Sequence, residues 1–183
     1  MTNHKIAVLG AGSWGTALAL HTAERTPTTL WSSREAHATA MMQARENRDY
    51  LPGYSFPSTL TTTAELADAL EGATLLLLAI PSTAFQTTLE RLDRYYQVSN
   101  SPIPPVISAT KGLDYANNGF LSETFYHYFP NTDFAILSGP SFAKEVAAHF
   151  PTAIAIAAKE ERIIDYFVPY FHFNAFRVYG NTD

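Results

Sequence analysis

"IAVLGAGSWGTALAL", residues 6–20, sets Gly10, Gly12 and Gly15 between an apolar run and an Ala/Leu-rich run. Glycine at these positions lets a strand turn sharply into a helix. It also leaves backbone N–H groups uncovered at the helix N-terminus, where the dipole favours an anion. A G-x-G-x-x-G pattern is informative only between a strand and a helix. Both flanks comply here, since Ile6–Leu9 reads as a short buried strand and 13–24 is rich in helix formers. The stretch is therefore read as a phosphate loop for a dinucleotide.

Outward from this loop the same alternation repeats. Strand-like runs are expected at Ile6–Leu9, Thr28–Trp31, 74–80, 106–109, Phe134–Ser138, 153–157 and 175–179. Helices are expected at 13–24, 34–48, 64–70, 83–95, Leu121–Tyr128, 142–149 and 160–172. Strands alternating with helices make βαβ units, so the expected class is α/β, a Rossmann-type, mostly parallel sheet with helices on both faces. Residues 75–79 are apolar at every position, as in a strand covered on both sides, which makes that strand central. Pro81-Ser82 then ends it where the next helix should begin. Residues 97–105, with three prolines, read as a surface loop, and no internal boundary divides 1–183. Tyr166, Phe167, Tyr170, Phe171 and Phe173 fall at near-helical spacing and read as core or interface.

Composition narrows the functional classes. The chain has 183 residues, 46% hydrophobic and 16% charged, enough for one sizeable core. A net charge of -5 without a long Lys/Arg run argues against nucleic acid as a partner, while leaving room for a pocket that holds a phosphate. No cysteine is present, which removes disulfides and thiolate catalysis, and the six histidines lack metal-ligand spacing, so no metal is expected. Neither a leader pattern nor a membrane-length apolar run is found, so a cytoplasmic protein with no membrane partner is expected.

The end of the second strand bears on which nucleotide is bound. It reads Leu30-Trp31-Ser32-Ser33-Arg34, without the carboxylate that accepts the ribose 2′-OH of NAD. A Ser hydroxyl and an Arg fork can instead hold a 2′-phosphate, so Ser33 and Arg34 point to NADP, with NAD still usable. Two later segments, "SATKGLD" (108–114) and "LSGPSFAKEVA" (137–147), bring small residues and a lysine to strand ends. Lys111 there could project a cation over the C-terminal edge of the sheet, and Gly139-Pro140-Ser141 adds backbone and hydroxyl groups. Lys144 and Glu145 read as a solvated helix face.

With these motifs the sequence resembles bacterial-type NAD(P)-dependent sn-glycerol-3-phosphate dehydrogenase. The likeness rests on GAGSWGTALA (10–19), YLPG (50–53), AIPS (79–82), ATKGL (109–113), SGPSFAKE (138–145), PTA (151–153) and FRVYGN (Phe176–Asn181). It implies NAD(P)-dependent reduction of dihydroxyacetone phosphate to sn-glycerol 3-phosphate, a phospholipid precursor. Residue by residue, it implies cofactor contacts at Gly10, Gly12, Ser13, Trp14, Gly15, Ser33, Arg34, Tyr50, Lys111 and Ala143. Substrate contacts are implied at Lys111, Gly139 and Ser141. Many relatives carry two basic residues where this chain has Ser33 and Arg34. The resemblance also implies a helical substrate domain and a catalytic lysine beyond Asp183. Residues 1–183 are then the cofactor-binding part, expected to bind nucleotide but turn over little alone, so no catalytic residue is assigned within them. Two alternatives stay open: another two-domain NADP-dependent dehydrogenase, such as a ketopantoate-reductase-like or 6-phosphogluconate-dehydrogenase-like protein, and a non-catalytic NADP-binding module. Exposure of the apolar stretch 166–179 would favour self-association, as in a homodimer.

Overall fold

In the computed structural model, which describes residues 4–114 and 118–182, each expected apolar run forms a strand. The chain runs β1 (Ile6–Leu9), α1 (Ser13–Ala23), β2 (Thr28–Trp31), α2 (Glu35–Ala44), β3 (Glu46–Asn47), β4 (Leu51–Ser55), β5 (Leu60–Thr63) and α3 (Leu66–Leu70). It continues through β6 (Leu75–Leu78), a 3-10 turn at Ser82–Ala84, α4 (Phe85–Ser99), β7 (Val106–Ser108), α5 (Leu121–Tyr128) and β8 (Phe134–Ser138). It closes with α6 (Ala143–Ala147), β9 (Thr152–Ala158), α7 (Glu161–Phe171) and β10 (Phe176–Asn181). Eight strands form one sheet in the order β10-β9-β8-β7-β6-β1-β2-β5. Every pairing in it is parallel except β8 with β9. A parallel neighbour needs a crossover that carries the chain back across the sheet. Residues 139–151 instead stay near the end of β8, so β9 starts there and runs the other way.

Two apolar layers cover the sheet. Leu75 and Leu77 pack on one side with Val8, Leu18, Leu30 and Phe167, and Leu76 and Leu78 pack on the other with Leu9, Phe85, Leu89 and Phe125. All of β6 is buried, which is the physical reason its sequence is unbroken leucine. The aromatic stretch near the C-terminus belongs to this core: Phe167, Phe171, Phe173, Phe176 and Val178 are buried, while Tyr179 is 62% exposed. Most of the surface expected to favour self-association is thus covered within the chain. No helix among the described residues is long and apolar enough to cross a membrane.

The structure corrects three expectations. The helix expected over 34–48 stops at Ala44, because Arg45 turns left-handed (φ 52°) and its guanidinium donates to the carbonyls of Phe56, Pro57 and Leu60. The chain reverses there into the β3–β4 hairpin. Strand β5, "LTTT", was not expected, since its single leucine makes no apolar run; it pairs with β2 at the sheet edge. Helix α4 runs on to Ser99 before Asn100 (φ 48°) ends it, so the loop expected from residue 97 is shorter.

Candidate functional site

The C-terminal ends of β1, β2 and β6 meet at the phosphate loop. The Gly10 N–H donates to the Trp31 carbonyl (3.1 Å), and the Ala79 N–H donates to the Leu9 carbonyl (2.8 Å). Gly10 has φ +115°, and a Cβ on it would lie 2.4 Å from the Ala79 oxygen. A Cβ on Gly15 would lie 1.9 Å from the Gly10 oxygen, so glycine lets α1 pack this close to the turn. Gly12 differs, because nothing among the described residues lies within 4 Å of a Cβ placed there. It is the N-cap of α1, and no side chain caps that helix. The N–H groups of the first turn, at the positive end of the dipole, are thus left for a ligand.

These atoms open into a cleft of about 790 Å³. Of the sequence-predicted residues, Gly10, Gly12, Ser13, Trp14, Gly15, Ser33, Arg34, Tyr50, Lys111, Ser141 and Ala143 line it. Gly139 does not; with Lys111, Thr110 and Ser138 it lines a neighbouring recess of about 400 Å³. Lys111 therefore borders both spaces. A Cβ on Gly139 would lie 3.0 Å from Ile154 Cγ1, so packing on β9 already favours glycine.

Charge in the cleft is one-sided. Arg34, Arg91 and Lys111 line it, and among the described residues no Asp or Glu does, in a chain of net charge -5. Arg34 Nη2 donates to the Tyr50 hydroxyl at 3.0 Å, and Lys111 Nζ sits 5.9 Å from the Trp14 ring centroid. The Ser141 hydroxyl is buried and has no hydrogen-bond partner among the described residues. Such a group carries a desolvation cost that a bound polar ligand would relieve. An uncapped helix start, an open Gly12, three cations and an unpaired hydroxyl fit a ligand bearing several phosphates.

Sequence reasoning missed a buried relay behind the cleft. Asn47 Nδ2 donates to the Ala11 carbonyl (3.0 Å) and to Thr16 Oγ1 (2.7 Å), which leaves Oδ1 as the acceptor. Oδ1 takes the Tyr50 N–H (3.3 Å) and faces His37 Nε2 (3.0 Å), so Nε2 carries a proton. His37 Nδ1 faces Ser32 Oγ (3.0 Å), and Ser32 Oγ in turn accepts the Arg34 N–H (3.3 Å). This chain ties the phosphate loop to the end of β2 and to Tyr50. Arg91 was missed too, since only the fold carries α4 to the end of β2. The one sequence signal for Asn47 was its place three residues ahead of YLPG.

Comparison with known proteins places the chain in a family. The sequence pattern of the family described as NAD-dependent glycerol-3-phosphate dehydrogenase N-terminus matches residues 5–164. A glycerol-3-phosphate dehydrogenase (NAD(P)+) of Methylococcus capsulatus is 44% identical over 183 residues, covering 98% of this chain and 53% of the relative. One from Neisseria meningitidis is 38% identical over 181 residues, covering 98% of this chain and 54% of the relative. The crystal structure of glycerol-3-phosphate dehydrogenase from Coxiella burnetii matches with a TM-score of 0.92 at 37% identity, over 100% of this chain and 55% of that one. The chain spans about half the length of the curated relatives it matches.

Proposed function

The chain belongs to the NAD-dependent glycerol-3-phosphate dehydrogenase family as its N-terminal, nucleotide-binding part, and from that premise we propose that its cleft binds NADPH in preference to NADH. The reaction served is reduction of dihydroxyacetone phosphate to sn-glycerol 3-phosphate. The observation that carries this reading is the charge of the cleft: among the described residues, three cations and no carboxylate around an uncapped helix start. A nicotinamide dinucleotide places phosphates along just such a groove.

In this reading the backbone N–H groups of Ser13 and Trp14 hold the pyrophosphate, and the bare Gly12 admits it. Ser33 and Arg34 meet the 2′-phosphate, Tyr50 steadies Arg34, and Ala143 leaves room for the cofactor. When bound, the nicotinamide supplies the hydride that reduces the ketone carbon. Lys111, at the junction of cleft and recess, orients the substrate and balances charge developing on its oxygen. Gly139, from the recess, and Ser141, from the cleft, present backbone and hydroxyl to the substrate. The proton donor is assigned to a lysine of the helical part that family members carry, not to Lys111.

Two assays test this. Titration with NADPH and NADH should show binding of both by these 183 residues, tighter for NADPH. Oxidation of NADPH by dihydroxyacetone phosphate should be negligible for this chain. It should return in a chimera joined to the second half of the Methylococcus capsulatus relative. Loss of a general acid alone removes about 10²–10⁴-fold of rate, and loss of orientation removes more. Comparable turnover by the two proteins would show that Lys111 or another retained group donates the proton.

A further inference from the structure

We infer that Arg91 on α4 is a specificity-determining residue: with Arg34 it clamps the 2′-phosphate of the cofactor from a second element of the cleft. The inference rests on the dinucleotide reading above. Arg34 follows β2 and Arg91 projects from α4, yet both line the same cleft with Trp31, Ser32 and Ser33. The Arg91 guanidinium lies over the Trp31 ring, 4.9 Å from its centroid. Trp31 is the last residue of β2, is 3% exposed, and is anchored by its indole N–H to the Ala64 carbonyl at 2.8 Å. Arg91 is thereby held at the strand end that, in a fold of this kind, faces the adenosine ribose.

Among the described residues Arg91 makes no salt bridge. The acids closest to it in sequence are engaged elsewhere: Glu90 accepts from Gln86 and Tyr128, and Asp93 accepts from Gln97. On the β2 side, Ser33 leaves Arg34 as the single cation, which is little for a phosphate near two negative charges. Arg91 supplies the second charge from a different element. A guanidinium held over an indole has already lost part of its rotamer freedom, so less is lost when it takes a phosphate. The 2′-hydroxyl of NADH offers no charge to either arginine.

The test compares the wild-type chain with Arg91→Ala, Arg91→Lys, Arg34→Ala and the double alanine variant. The probes are NADPH, NADH, adenosine 2′,5′-bisphosphate and 5′-AMP, with circular dichroism and melting to establish that each variant is folded. Arg91→Ala should weaken NADPH and the 2′,5′-bisphosphate about tenfold, leave NADH and 5′-AMP within about twofold, and flatten the salt dependence of NADPH binding. Arg91→Lys should recover part of the loss, and the losses at 34 and 91 should combine non-additively, as for one shared phosphate. Equal weakening of NADPH and NADH would make Arg91 an adenine-stacking residue and overturn the inference, as would no change in either. If the wild-type chain binds neither dinucleotide, the cofactor reading falls and takes the inference with it. If it binds both and only the Arg91 variants disagree, the inference alone falls.

Discussion

At Gly12 a side chain has somewhere to go; at Gly10 and Gly15 it does not. The fingerprint was legible as three equivalent letters, and the fold separates them by what a Cβ would meet. Gly12→Val should fold with a normal melting temperature and lose dinucleotide binding, because its side chain would project from the α1 N-terminus into the cleft. Gly15→Ala should instead melt earlier, since its Cβ would lie 1.9 Å from the Gly10 oxygen, a backbone atom that cannot move freely, and any loss of binding would come with that loss of stability. Overpacking of this kind costs about 1–3 kcal/mol, or roughly 2–12 °C in Tm for a chain of this size. Thermal melts and NADPH titrations of the two variants check both outcomes; a Gly12→Val protein that is folded and binds normally would show that this turn does not hold the dinucleotide phosphates. Arg34 was readable from the absence of a carboxylate after β2, whereas Arg91, one arginine within a polar helix, carried no local signal.

Among the elements, strands buried on both faces were the most legible and the hairpin was the least. Leu75–Leu78 announces itself because burial on both faces demands an apolar residue at every position. The β3–β4 hairpin does not, because polar residues and a left-handed Arg45, not an apolar period, hold it in place. Its functional content is Asn47, which ties the Ala11 carbonyl in the phosphate loop to His37 on α2 and to the Tyr50 N–H. Asn47→Ala would leave the buried Ala11 carbonyl, the Thr16 hydroxyl and the His37 Nε2 proton short of a partner. Each unpaired buried group costs about 1–3 kcal/mol. The variant should therefore melt earlier and bind NADPH more weakly, because the loop and Tyr50 lose their common anchor. Unchanged melting and binding would show that water or neighbouring groups replace the amide without loss.

Across the whole molecule, α1 and the C-terminal segment are joined at a histidine that the cleft does not use. His21 is 4% exposed, donates from Nε2 to the Phe171 carbonyl at 2.8 Å, and stacks on Phe173 with centroids 4.0 Å apart. Burial holds its pKa below the usual 6.5, more than the Phe171 bond and Glu24 offset. The unfolded chain then binds the proton more tightly than the folded one. This contribution is fully present above the unfolded value and is lost as the pH falls through the lowered folded value. Between about pH 8 and pH 5 the wild-type Tm should drop more steeply than that of His21→Gln, which keeps a donor but does not titrate. Parallel Tm profiles would place the acid sensitivity elsewhere. The sequence alone determined the alternation of strands and helices, the phosphate loop, the unbroken central strand and the family likeness. Each of these is written in neighbouring residues, where periodicity and glycine stereochemistry act locally. Only the tertiary structure decided that β5 joins the edge, that β9 runs back against β8, and that Asn47 reaches the loop. It alone brought Arg91 on α4 and Arg34 after β2 to one cleft, because such meetings depend on how distant segments share the surface of a common sheet.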